Sequence, residues 1–118
     1  MQEKAVIKIL KEKLYFSDES VNKLRNFSQM LIIANQKHNL ISKSTETDIW
    51  NRHILDSAQL VKFINFNKGS LADFGTGAGF PGLVIAIFNK NIDFHVKLFE
   101  KSPVKRKFLE DVIRKCDI

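Results

Sequence analysis

The residues best suited to chemistry in this chain lie between Asp73 and Glu100. Asp73 and Phe74 end a short apolar run, and Gly75, Gly77 and Gly79 follow at alternate positions before a second apolar stretch, residues 80–88. Glycines accept positive φ and let a ligand come close to the backbone. A helix that starts at such a turn offers free N–H groups and the positive end of its dipole to a carboxylate or phosphate. Glu100 follows Gly79 by 21 residues, where nucleotide-binding α/β folds place an acid that accepts hydrogen bonds from ribose hydroxyls. Spacing then separates the ligands. A nucleotide-hydrolysing P-loop needs Lys-Ser or Lys-Thr after its last glycine, but Leu83 and Val84 follow Gly82, which excludes it. A dinucleotide fingerprint begun at Gly75 would need glycine where Phe80 stands. The register Gly77, Gly79, Gly82 matches formally, yet it starts three residues past the strand and puts Pro81 inside the phosphate turn.

Asp73 completes the pattern D-x-G-x-G-x-G, which resembles the cofactor loop of class I S-adenosylmethionine-dependent methyltransferases. S-adenosylmethionine is therefore favoured over a nicotinamide or flavin, and a purely structural glycine turn is the third reading.

Hydrophobic periodicity supplies the elements that must hold this loop. Residues 4–14 predict a helix with Ile7, Leu10 and Leu14 on one stripe. Ser17 or Asp18 caps a second helix through Val21, Leu24, Phe27, Leu31 and Ala34, which ends at 37–39. Residues 41–45 read as a loop. A third helix begins near Thr45, where Thr45 and Asp48 resemble a capping box, and it buries Ile49, Ile54, Leu55, Ala58 and Val61. Residues 65–70 break it. Two strands follow, 70–74 and 94–100, joined by a helix over 80–88 with Pro81 in its first turn. A last helix is capped by Ser102, starts with Pro103 and turns Val104, Phe108, Leu109, Val112 and Ile113 inward. Two strands joined by one helix should pair in parallel. The fold class is α/β, divided into a helical region, 1–68, and a β-α-β-α region, 69–118.

The 118 residues carry 44% hydrophobic and 27% charged side chains, an ordinary globular composition. One cysteine and three histidines give neither a disulfide nor a metal-ligand spacing. The longest apolar run is too short for a membrane span, and the first residues lack the pattern of a secretory signal. A soluble protein of the cytoplasm is expected, with no membrane or metal partner. The net charge of +6 points weakly to a polyanion. Lys101, Lys105, Arg106 and Lys107 surround the first turn of the last helix, where the dipole disfavours cations. A local rule broken beside a ligand site suggests RNA backbone contact.

The sequence WNRHILDS, residues 50–57, followed by DFGTGAGFPG, residues 73–82, resembles the bacterial RsmG (GidB) family, and NLIS at 39–42 resembles that family's entry to the region. The resemblance covers roughly residues 20 to 115. It implies a helical N-terminal extension on a seven-stranded, Rossmann-like class I methyltransferase sheet, S-adenosylmethionine as methyl donor, and methylation of N7 of a guanine in 16S ribosomal RNA in the small subunit. On this reading Gly75, Gly77 and Gly79 line the methionine end of the cofactor through backbone N–H groups. Phe80 begins a helix and walls the pocket, Asp73 reaches the methionine ammonium or braces the loop, and Glu100 holds the ribose. Arg52 and His53 face RNA phosphate, or a His53–Asp56 hydrogen bond fixes the helix to the sheet. No acid/base pair is assigned, because neutral guanine N7 carries a lone pair and no proton. Only the first two strands of the implied sheet are encoded. The chain therefore reads as truncated, with a non-catalytic homologue that binds cofactor or RNA as the alternative, and its open sheet edge is expected to favour self-association.

Overall fold

A computed structural model describes residues 2–118. Helices α1 (Gln2–Glu12) and α2 (Asp18–Asn35) come first. Ser17 caps α2, its hydroxyl accepting from the Ser20 N–H at 3.0 Å. Leu14 lies past the end of α1 but is still buried, after which Tyr15 turns the chain at φ 61°. Between α2 and the next helices the chain is folded back by the buried Asn35. Its side-chain oxygen accepts from Leu40 N–H at 2.8 Å and Ile41 N–H at 3.0 Å, and its amide nitrogen donates to Glu46 at 2.9 Å. These bonds explain the first departure from expectation. Residues read as loop form a single helical turn, α3 (Lys43–Glu46), entered at Ser42. Thr45 does not cap a helix; its hydroxyl bonds the Ser42 carbonyl and the His53 ring instead.

The third predicted helix is three geometries run together, here called α4: a π-helical turn Trp50–Leu55, an α turn Asp56–Ala58 and a 3-10 segment Gln59–Phe63. The π turn is the unusual part, since such wide turns concentrate at functional positions. Ile54 and Ala58 of α4 are fully buried, as the periodicity requires.

Strands β1 (Gly69–Phe74) and β2 (Phe94–Phe99) pair in parallel, in register from Gly69 opposite Phe94 to Phe74 opposite Phe99. Helix α5 (Gly82–Phe88) connects them, and α6 (Pro103–Cys116) follows. Helix α5 starts two residues later than the apolar run suggests. Gly79 and Phe80 both donate their N–H groups to the Thr76 carbonyl, at 3.0 and 3.1 Å, which closes a turn and leaves Pro81 as the residue before the helix. Ser102 caps α6 as expected, accepting from Lys105 N–H at 3.3 Å. Val104, expected inside, is 42% exposed in the first turn.

Period-two alternation puts Leu71, Asp73, Val96 and Leu98 on the half-buried sheet face and leaves Ser70, Ala72, Phe74, His95, Lys97 and Phe99 exposed on the other. The core is continuous across the whole chain. Leu10 of α1, Leu24, Phe27 and Leu31 of α2, Ile54 of α4, Leu83 and Val84 of α5 and Val112 of α6 belong to one hydrophobic cluster. Ser20 ties α2 to α5 by a buried hydrogen bond to the Ile87 carbonyl at 2.9 Å. The helical segment is thereby packed onto the element that follows the glycine loop. No helix among the described residues is long and apolar enough to cross a membrane.

Candidate cofactor and RNA site

The glycine loop leaves β1 at its C-terminal end and is held there by β2. Gly75 and Thr76 donate their N–H groups to the Phe99 carbonyl, at 2.7 and 3.1 Å. Gly75, Gly77 and Gly79 have φ of 75°, 60° and 113°, so the positive-φ expectation holds at all three. Their surroundings divide them. A Cβ at Gly75 or Gly77 would meet nothing within 4 Å, whereas one at Gly79 would lie 2.9 Å from Leu83 Cβ and 3.2 Å from Leu109. Gly75 and Gly77 border open space that a ligand can enter; Gly79 is glycine because α5 and α6 press on it.

The acids at either end of the loop have backbone partners. Asp73 Oδ2 accepts from Gly82 N–H at 2.9 Å, the loop-bracing option. Glu100, the residue after β2, accepts from Gly77 N–H at 2.8 Å through one oxygen and from Ser102 N–H at 3.0 Å through the other. The Ser102 and then the Gly77 N–H groups hold the Glu100 carboxyl below its ordinary value of 4.5. A carboxylate has about four acceptor positions, so two remain for hydroxyl donors. The expectation that all three glycines present free N–H groups needs correcting. Those of Gly75, Gly77 and Gly79 have internal partners, and so does that of Phe80. The reason is the tight turn itself, which satisfies its own donors. Only the Ala78 N–H in this loop has no partner among the described residues, and the Thr76 hydroxyl is buried without one.

Phe80 carries the loop to α4. Its ring packs against Phe27 at 5.3 Å between centroids and stacks on the His53 imidazole at 4.8 Å and 27°. His53 Nε2 is 2.8 Å from the Thr45 hydroxyl. The expected His53–Asp56 hydrogen bond does not form; the ring's one hydrogen bond among the described residues is to Thr45. Burial, with Arg52 adding to it, pushes the His53 pKa below 6.5 despite Asp56 and Asp48. Arg52 is exposed and pairs with Asp48 at 3.5 Å. A cavity of about 330 Å³ is lined by Arg52, His53, Asp56, Ser57, Leu60, Phe80 and Pro81.

The basic cluster is partly structural. Arg106 donates to the carbonyls of Glu100 and Lys101, at 3.2 and 3.1 Å, and Lys107 pairs with Asp111 at 3.0 Å. Lys101 and Lys105 have no side-chain hydrogen bond or ion pair among the described residues, and Lys101 is exposed.

The family model described as rRNA small subunit methyltransferase G matches residues 20–118. The chain belongs to the GidB family. It is 40% identical over 98 residues to the ribosomal RNA small subunit methyltransferase G of Paramagnetospirillum magneticum, covering 83% of this chain and 46% of the relative. The protein of the same name from Pelagibacter ubique is 44% identical over 92 residues, with 75% and 43% coverage. That of Mycoplasma mycoides is 37% identical over 102 residues, with 86% and 73% coverage. The chain spans about half the length of most of the curated relatives it matches.

The matched segment thus contains every sequence-predicted site residue. Asp73, Gly75, Gly77, Gly79, Phe80 and Glu100 gather at the loop, and His53 reaches it by stacking on Phe80. Arg52 lines the same cavity as His53 and Phe80, while Lys101, Lys105, Arg106 and Lys107 follow Glu100 into α6. Sequence reasoning missed Thr76 and Ala78, whose signal is only their place between the glycines. It also passed over Asp56 as anything but a partner for His53.

Proposed function

We propose that this chain carries the methionine- and ribose-binding part of an S-adenosylmethionine-dependent enzyme that methylates guanine N7 in 16S ribosomal RNA, acting on the small subunit in the cytoplasm. Its two parallel strands would be the start of a Rossmann-like class I sheet. The observation that supports this best is the pairing of open space at Gly75 and Gly77 with Glu100, which keeps two acceptor positions beside that space. The residues fit the cofactor. Glu100 would accept from the ribose hydroxyls while still holding the Gly77 N–H. Gly75 and Gly77 would allow close approach, with the Ala78 N–H and Thr76 hydroxyl as the donors still free, and Phe80 would wall the methionine end. Asp73 would act indirectly, by keeping the end of α5 against β1.

When bound, S-adenosylmethionine would supply an electrophilic sulfonium methyl for the N7 lone pair, with the S–CH3 electron pair left on sulfur. No proton moves in that exchange, so the chain needs no general base at the reacting atoms. What its residues contribute is position, and effective molarity makes position the main catalytic resource. Lys101 and Lys105, beside Glu100, would contact RNA phosphate, and Arg52 would do so from α4. Binding through them should weaken steeply with salt.

Calorimetric titration of the chain with S-adenosylmethionine tests the reading. Saturable binding that Gly77→Val abolishes is expected, because a branched side chain resists φ 60° and fills the approach. Tighter binding of NADH in direct competition would restore the dinucleotide reading. Equal binding by Gly77→Val would show that the pocket lies elsewhere.

A further inference from the structure

We propose that the cavity between α4 and the Phe80–Pro81 segment is a guanine-reading pocket, in which the Asp56 carboxylate accepts hydrogen bonds from N1–H and N2–H2 of the base. The inference rests on the methyl-transfer reading for its substrate class. That reading supplies the guanine, and the cavity supplies the acceptor that would read it.

Three polar side chains line that cavity from α4 besides Ser57, and two have partners. Arg52 is paired with Asp48, and His53 is held by Thr45 and stacked on Phe80. Asp56 is exposed and has no hydrogen bond or ion pair among the described residues. The other acids near the loop, Asp73 and Glu100, are both bonded to backbone N–H groups. An ionised carboxylate only accepts. Among the four bases only guanine presents two adjacent donors on one edge; adenine and cytosine put an acceptor beside the amino group, and uracil flanks its single N–H with carbonyls. A carboxylate here therefore favours guanine, which alone satisfies both oxygens, over the other three.

The geometry suits the reaction as well. Engaging N1–H and N2–H2 leaves N7, on the far edge of the base, unhindered. Leu60, 42% exposed, and Pro81 offer apolar walls to the base faces. Phe80 belongs both to this cavity and to the turn that closes the glycine loop, so a base held here lies next to the proposed methyl donor. The wide π turn, Trp50–Leu55, ends one residue before Asp56 and sets where α4 presents it.

The test uses fluorescence anisotropy with labelled pentaribonucleotides carrying guanosine, inosine or adenosine at the centre of a uridine run. The parent chain should bind the guanosine probe about tenfold more tightly than the adenosine probe, the scale of a bidentate contact. Inosine, which lacks the N2 amino group, should fall between them. Asp56→Asn and Asp56→Ala should each bring all three probes within about twofold, while Asp56→Glu should retain part of the preference. S-adenosylmethionine affinity is measured on the same samples and should be unchanged by Asp56→Asn. Absence of a guanosine preference in the parent, or its survival in both Asp56→Asn and Asp56→Ala, overturns the pocket while leaving cofactor binding intact. Failure of the parent to bind S-adenosylmethionine would count against the methyl-transfer reading instead.

Discussion

Gly82 separates what the loop needs for folding from what it needs for a ligand. A Cβ built there would clash with Leu98 Cδ2 and lie 2.7 Å from Asp73 Oδ2 and 2.9 Å from Asp73 Cβ. Leu98 can swing part of its side chain away, but Asp73 cannot retreat without losing its 2.9 Å bond to the Gly82 N–H. Overpacking a well-filled site costs about 1–3 kcal/mol, and a hydrogen bond to a charged group contributes about 1.5–3 kcal/mol. The two overlap, since one movement relieves the clash and breaks the bond. Gly82→Ala should therefore cost about 3 kcal/mol, a large part of a small domain's stability. At about 4 °C per kcal/mol for a chain of this size, its Tm falls by roughly 12 °C. Gly75→Ala is the comparison. It keeps φ at 75° but meets nothing within 4 Å, so only the left-handed strain of about 1–2 kcal/mol applies. Thermal unfolding followed by circular dichroism ranks the two. A Gly82→Ala melt within about 3 °C of the parent, or one above that of Gly75→Ala, would refute the close packing of α5 on β1.

Further outcomes follow from single contacts. Because the folded Glu100 pKa is below 4.5, its contribution is present above that value and is lost as pH falls from 4.5 through the lower folded value. The Gly77 amide proton should report this titration by NMR, and Glu100→Gln should flatten it. Partial burial lowers the folded His53 pKa below 6.5, so its contribution is present above pH 6.5 and is lost as pH falls from 6.5 through the folded value. Phe80→Ala should raise the ring's NMR titration midpoint towards 6.5; an unchanged midpoint would mean that Phe80 does not shield it. Asn35→Ala leaves the Ile41 N–H without an acceptor and the Leu40 N–H with only the His38 carbonyl, and should cost about 1–3 kcal/mol, read as a lower urea midpoint at unchanged slope.

The amphipathic helices were legible because burial imposes a period on sequence. Leu10, Leu24, Phe27, Leu31 and Val112 are apolar at helical spacing, and all are fully buried. Turn chemistry was legible where one residue type is needed, as with Ser17 and Ser102 as caps and with the positive-φ glycines. The start of α5 and the turn α3 were not, because each depends on a particular hydrogen bond, one to the Thr76 carbonyl and the other from the Asn35 amide to Glu46. Propensity does not encode which of several nearby acceptors a donor will choose.

The same division runs through the site. The spacing of Asp73, Gly75, Gly77, Gly79 and Glu100 by itself placed a glycine turn between two strands, since a tight strand-to-helix turn takes positive φ that glycine tolerates best. Tertiary structure decided what each one does. Gly79 yields to the packing of Leu83 and Leu109, Asp73 takes the Gly82 N–H, and Glu100 takes that of Gly77. It also brought His53 onto Phe80 and left Asp56 without a partner among the described residues. Those outcomes depend on distances between elements far apart in the chain, and a one-dimensional pattern carries no information about which of two competing partners arrives first within hydrogen-bond reach.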